Sequence, residues 1–141
     1  MVLKLVSPED YATLLNLMAK YQHLVDDGDA EGWAGLFTED GEFGGPPDEQ
    51  GNPFEFQGRE ELERVPGVSI SQFGGHLRHN LCSFGAEYGE SRDEAFARYY
   101  IIATLSPPGE PARVMAEFDV KTHLVRMNGE WKIKSNRFVS A

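Results

Sequence analysis

"RVMAEFDVKTHLVRMNGEWKIKSNRF" (113–138) is the stretch that decides the fold. Val114, Ala116, Phe118, Val120, Thr122 and Leu124 fall on one side of an extended chain, and Glu117, Asp119, Lys121 and His123 on the other. A period of two marks a strand with one face on a core. Asn128-Gly129 favours the left-handed turn of a tight hairpin. Beyond it, Trp131, Ile133, Ser135 and Arg137 alternate with Lys132, Lys134, Asn136 and Phe138. The stretch therefore predicts two long antiparallel strands.

Upstream, "EAFARYYIIATL" (94–105) is rich in aromatic and β-branched residues and predicts a third long strand. In "GHLRHNLCSF" (75–84), His76, Arg78, Asn80, Cys82 and Phe84 share one face of a further strand, while Leu77, His79, Leu81 and Ser83 share the other. "GGPPDEQGNPFEFQG" (44–58) is dense in Gly and Pro and predicts a loop with an edge-strand piece around Phe54 to Phe56. "REELERV" (59–65) predicts a helical turn or two, and "TEDGEF" (38–43) a turn into a first short strand.

The first forty residues have helical spacing instead. Ser7 can cap a helix, Pro8 suits its first position, and Glu9 and Asp10 favour its positive end. Tyr11, Leu14, Met18, Tyr21 and Val25 then recur at three- and four-residue steps up to a stop near Gly28. Asp29 can cap a second, short helix carrying Trp33, Leu36 and Phe37. Helices first and an antiparallel meander after predict an α+β fold in which helices cover one sheet face.

A chain of 141 residues suits a single domain, here 1–141. Its net charge of −10 argues against nucleic acid and against an anionic membrane surface as partners. Cys82 is the one cysteine, which excludes an internal disulfide and fits a reducing, cytoplasmic setting. "MVLKLVSPED" reaches charge and proline too soon for a secretory signal, and no apolar run approaches the roughly 20 residues of a membrane span.

Chemistry-bearing residues are few. Asp29 suits a cap and Asp27 a solvated turn, but Asp26 falls at the edge of the apolar helical face, where a carboxylate needs a partner. Asp27, Asp29, Glu31 and Gly32 echo a calcium loop, but Thr38 stands where a bidentate Glu is required. His76 and His79, three apart on a strand, point to opposite faces, which weakens a two-histidine metal site. Leu77 and Leu81 flank His79. His76 shares its face with Arg78 and Asn80, a polar group that makes sense along a cavity. On residue pattern alone, a turn aspartate and a structurally satisfied strand histidine are the ordinary readings.

One pattern changes that weighting. In "YATLLNLMAKYQHLVDDGDAEGWAGLFTEDGEF" (11–43), Tyr21, Asp26, Asp29, Phe37, Asp40 and Gly41 are spaced in a familiar way. "FQGREEL" (56–62), "GHLRHN" (75–80) and "NGEWKIKSNRF" (128–138) follow in order. Together they resemble SnoaL-like proteins of the nuclear transport factor 2-like superfamily, in the scytalone dehydratase-like branch. The resemblance implies a cone-shaped barrel: a strongly curved mixed or antiparallel sheet, covered by about three N-terminal helices, around a pocket. It implies that Asp26 orients His76 as a general base and that the Tyr21 hydroxyl polarises a carbonyl. Asn80, Arg137, Trp33 and Phe118 are the expected substrate contacts. It further implies proton abstraction beside a carbonyl, ending in dehydration, isomerisation or cyclisation. The expected substrate is hydrophobic and polyketide-, terpenoid- or steroid-like, with no metal and no cofactor, and the expected assembly is a homodimer. The competing expectation is a non-catalytic ligand-binding or dimerisation module, because one fold carries many functions.

Overall fold

The computed structural model describes residues 4–140. Helix α1 (Pro8–Asp27) starts where Ser7 accepts a hydrogen bond from the Asp10 backbone N–H and stops at Gly28, whose φ of 75° closes the helix in the left-handed region. Asp29 caps α2 (Ala30–Ala34) by accepting from the Gly32 N–H at 2.9 Å. Asp29→Ala is therefore expected to lower stability by about 1 kcal/mol, whereas Asp27→Ala, on an exposed side chain, should change it by less than about 0.5 kcal/mol. Denaturant midpoints of the two variants check this.

The strands are β1 (Phe37–Gly45), β2 (Phe54–Gln57), β3 (Leu77–Tyr88), β4 (Glu94–Leu105), β5 (Arg113–Met127) and β6 (Glu130–Ser140). They form one open, mixed sheet in the order β2-β1-β6-β5-β4-β3. β1 runs parallel to β6; every other pair is antiparallel. This is the α+β architecture expected from the helix-then-strand order.

Two local expectations need correction. Thr38–Phe43 is not a turn but part of β1, whose register against β6 jumps between Phe37 and Glu42. The turn-forming Asp40-Gly41 sits inside that irregularity. The helix expected to end at Val65 instead breaks into α3 (Arg59–Leu62) and α4 (Val65–Phe73). Pro66 and Gly67 resemble breakers in sequence, yet Pro66 lies in the first turn of α4, where its missing N–H costs nothing.

Three bulges shape the sheet around the site. Residues 83 and 84 face one residue of β4, with Ser83 at φ 56°, an uncommon value for a side chain with a Cβ. Met115 is extra on β5, and Lys134 is extra on β6. Each bulge bends its strand and reverses which residues face inward beyond it. Trp33, Phe37, Leu14, Met18 and Ile133 are fully buried between the helices and the concave sheet face. Trp33 sits at the centre, its ring 5.3 Å from Tyr21, 4.9 Å from Phe37 and 5.4 Å from Phe43.

Candidate active site

Between the helices and the concave sheet face lies a cavity of about 330 Å³. This is at the lower end of the range of small-molecule pockets. Phe43, Phe54, Phe56, Phe118 and Phe138 give it an aromatic wall, and Val65, Val68 and Phe73 of α4 close another side. Against this apolar lining stand a few polar groups: Tyr21 and Gln22 of α1, Ser69 and Gln72 of α4, His79 of β3, Tyr99 of β4 and Asn136 of β6. An apolar hollow with a handful of convergent polar groups is the form a small-molecule site takes.

The imidazole at this wall is held by one carboxylate. Asp26, only 9% exposed, presents both oxygens to His79. Oδ1 lies 2.5 Å from Nδ1, and Oδ2 accepts from the His79 backbone N–H at 3.1 Å. The double contact fixes the ring as well as the strand. A carboxylate at Nδ1 places the ring hydrogen there, which leaves the Nε2 lone pair free. His79 borders the cavity, so the geometry suits Nε2 to accept a proton from something bound within it. The helical stripe explains the reach of Asp26: Gln22, Val25 and Asp26 are all buried on the face that α1 turns towards the sheet.

A second polar group joins Tyr21, Tyr99 and Asn136 of the cavity wall to Thr122 behind it. The Asn136 amide donates to the Tyr21 hydroxyl oxygen at 2.8 Å, and its carbonyl oxygen accepts from Thr122 at 2.5 Å and Tyr99 at 3.2 Å. Because Tyr21 accepts from Asn136, its own hydroxyl hydrogen remains available to the cavity. Burial, with Tyr99 alongside, pushes the Tyr21 phenol well above its ordinary range. Burial likewise raises Tyr99, against the opposing effect of its bonds to Thr122 and Asn136. Both are hydrogen-bond donors at neutral pH rather than bases.

The sign of the resulting pH dependence is fixed. The unfolded chain releases these protons near pH 10 and the folded chain keeps them, so stability falls as pH rises above about 10. In an alkaline titration, two of the five tyrosines should show phenolate absorbance only when the protein unfolds. Reversible ionisation of all five with the fold intact would contradict this.

The sequence-derived site residues divide unevenly. Tyr21 and Phe118 line the cavity, and Asp26 stands behind His79. The expected Asp26–His76 pair is not formed. His76 precedes β3 in the turn after Gly75, where its backbone N–H donates to the Phe73 carbonyl and its own carbonyl accepts from Ser106. The strand begins one residue later than the pattern places it, and its inward face carries Leu77, His79 and Leu81. Asn80 therefore lies on the outer, exposed face, bonded to the Ile102 carbonyl and Thr104. Arg137 also faces outward and pairs with Glu55, because the Lys134 bulge turns Asn136 and Phe138 inward. Trp33 is sealed in the core and props Tyr21 without bordering the cavity. His79, Gln22, Tyr99 and Asn136 border the cavity but lie outside the sequence-derived set. The signal for Gln22 was its place four residues before Asp26, on the same helical face.

The comparisons agree with this architecture. A family model described as "SnoaL-like domain" matches residues 7–137. Aln2 from a Streptomyces species superposes with a TM-score of 0.84 at 24% identity, covering 97% of this chain and 94% of its own. Rv3472 from Mycobacterium tuberculosis, described as of unknown function, gives 0.78 at 25% identity over 96% and 76% of the two chains. A Novosphingobium aromaticivorans protein provisionally named scytalone dehydratase gives 0.76 at 22% identity over 94% and 84%. No curated protein matches the chain.

Proposed function

We propose that this chain, which belongs to the SnoaL-like domain family, is an enzyme that abstracts a proton from carbon beside a carbonyl of a hydrophobic small molecule. The observation that carries the proposal is the Asp26–His79 pair at the wall of an apolar cavity. His79 Nε2 takes the proton, and the C–H electron pair moves to the carbonyl oxygen as an enolate. Asp26 stabilises the imidazolium that forms and keeps the ring oriented, as a triad carboxylate does. Tyr21 donates its hydroxyl hydrogen bond to the oxygen on which negative charge develops.

Three outcomes follow from one enolate. A β-hydroxyl leaves as water, taking the proton back from His79; the enolate is reprotonated at another carbon; or it attacks a second carbonyl in the same molecule. These are dehydration, isomerisation and cyclisation, and none requires a metal or an organic cofactor. The name of the Novosphingobium neighbour fits the first of them. The aromatic lining favours a planar, polyketide-like ligand.

The test is a thermal-shift screen of carbonyl-bearing polycyclic compounds, followed by hydrogen exchange of each hit in deuterated water. Enzyme-dependent deuterium uptake at the carbon beside the carbonyl supports the proposal. Tight binding of hits with no uptake identifies a binding module instead. No helix among the described residues is long and apolar enough to cross a membrane.

A further inference from the structure

Among the described residues, Gln22 is the one cavity-lining side chain with a buried polar atom that has no hydrogen-bond partner, and the chemistry above does not use it. It is 3% exposed and borders the cavity, and its Nε2 has no hydrogen-bond partner among the described residues. It lies one helical turn before Asp26 and directly after Tyr21, so it shares the wall from which both act. A buried amide left unpaired weakens a fold. An apolar residue of similar length, such as methionine, would fill the space without that cost. Rotation of the terminal amide turns either its donor or its acceptor towards the cavity.

We infer that Gln22 is a specificity residue that hydrogen-bonds a second oxygen of the ligand, apart from the carbonyl oxygen at Tyr21. The inference rests on the cavity being the small-molecule site described above. The ligand class it selects is an oxygenated ring system with at least two oxygens, a ketone and a further hydroxyl or carbonyl, rather than a plain hydrocarbon or a monoketone. A site built to bond a ligand oxygen rejects the analogue without it, because its own polar group then stays unpaired.

Three bicyclic probes test this: tetralin with no oxygen, tetralone with one, and a set of hydroxytetralones carrying the hydroxyl at each open ring position. Their affinities are measured by calorimetry for the wild type and for Gln22→Met. In the wild type, the best hydroxytetralone should bind about 3- to 10-fold more tightly than tetralone, the gain of one hydrogen bond. In Gln22→Met that ratio should fall to about 1. The variant's Tm should stay level or rise, because an unpaired amide has been removed. The inference is overturned if no hydroxytetralone exceeds tetralone in the wild type, or if the ratio survives in Gln22→Met. Deuterium uptake by tetralone, read in the same samples, reports separately on His79. A cavity that discriminates oxygens without catalysing exchange would sink the proposed enzyme activity and leave the role of Gln22 standing.

Discussion

Replacing His79 with alanine is expected to lower the rate of proton abstraction from a bound carbonyl compound by roughly 10²–10⁴-fold, the usual contribution of a positioned general base. Asp26→Asn should cost a comparable factor for a different reason. Its amide can donate to Nδ1, which places the ring hydrogen on Nε2 and removes the lone pair that would take the proton. His76→Ala should leave the rate within about twofold, the range of a surface change away from the site, because His76 contributes backbone contacts in the turn before β3. The three variants, assayed by deuterium uptake with circular dichroism to confirm folding, separate the two histidines. Loss of uptake in His76→Ala alone would transfer the base to that residue.

The second large effect is structural. Trp33→Ala is expected to cost about 3–5 kcal/mol, as large aromatic truncations in a packed core do. Trp33 is fully buried and in ring contact with Tyr21, Phe37 and Phe43. For a domain of this size the Tm should fall by roughly 10 °C or more. Because Trp33 supports the Tyr21 ring, residual activity at low temperature should fall with it, through loss of the donor and not of a substrate contact. Calorimetry checks the first part. A variant that melts within about 2 °C of the wild type would show that the ring is not part of the core.

Features set by local chemistry were readable in advance. The Ser7 cap, the Gly28 stop, the Asp29 cap and the Asn128-Gly129 turn depend on a few neighbouring residues, and each lies where those residues place it. The choice of Asp26 over Asp27 followed from helical geometry, and Asp26 is buried while Asp27 is exposed. What failed was the assignment of strand faces. Strict alternation puts Arg137 with Ile133, Val114 with Phe118, and Phe84 opposite Leu81. A bulge at Lys134, at Met115 and at Ser83 reverses each relation. An extra residue in a strand leaves no clear mark in composition, since its cause lies in the partner strand and in the curvature.

The histidine choice failed for a related reason. The polarity of His76, Arg78 and Asn80 looked like a cavity wall, whereas Arg78 and Asn80 occupy an ordinary solvent-facing surface. Leu77 and Leu81 around His79 were the better guide, because an imidazole between two leucines belongs to the buried face.

Nitrogen NMR of the labelled protein, at a pH where its imidazoles are neutral, tests the pairing of Asp26 with His79 most directly. The account predicts that His79 carries its hydrogen on Nδ1 and leaves Nε2 bare, that Nε2 shifts when a ketone fills the cavity, and that Asp26→Asn reverses the tautomer. A hydrogen found on Nε2 in the wild type would contradict it, since that nitrogen would then have nothing with which to take a proton.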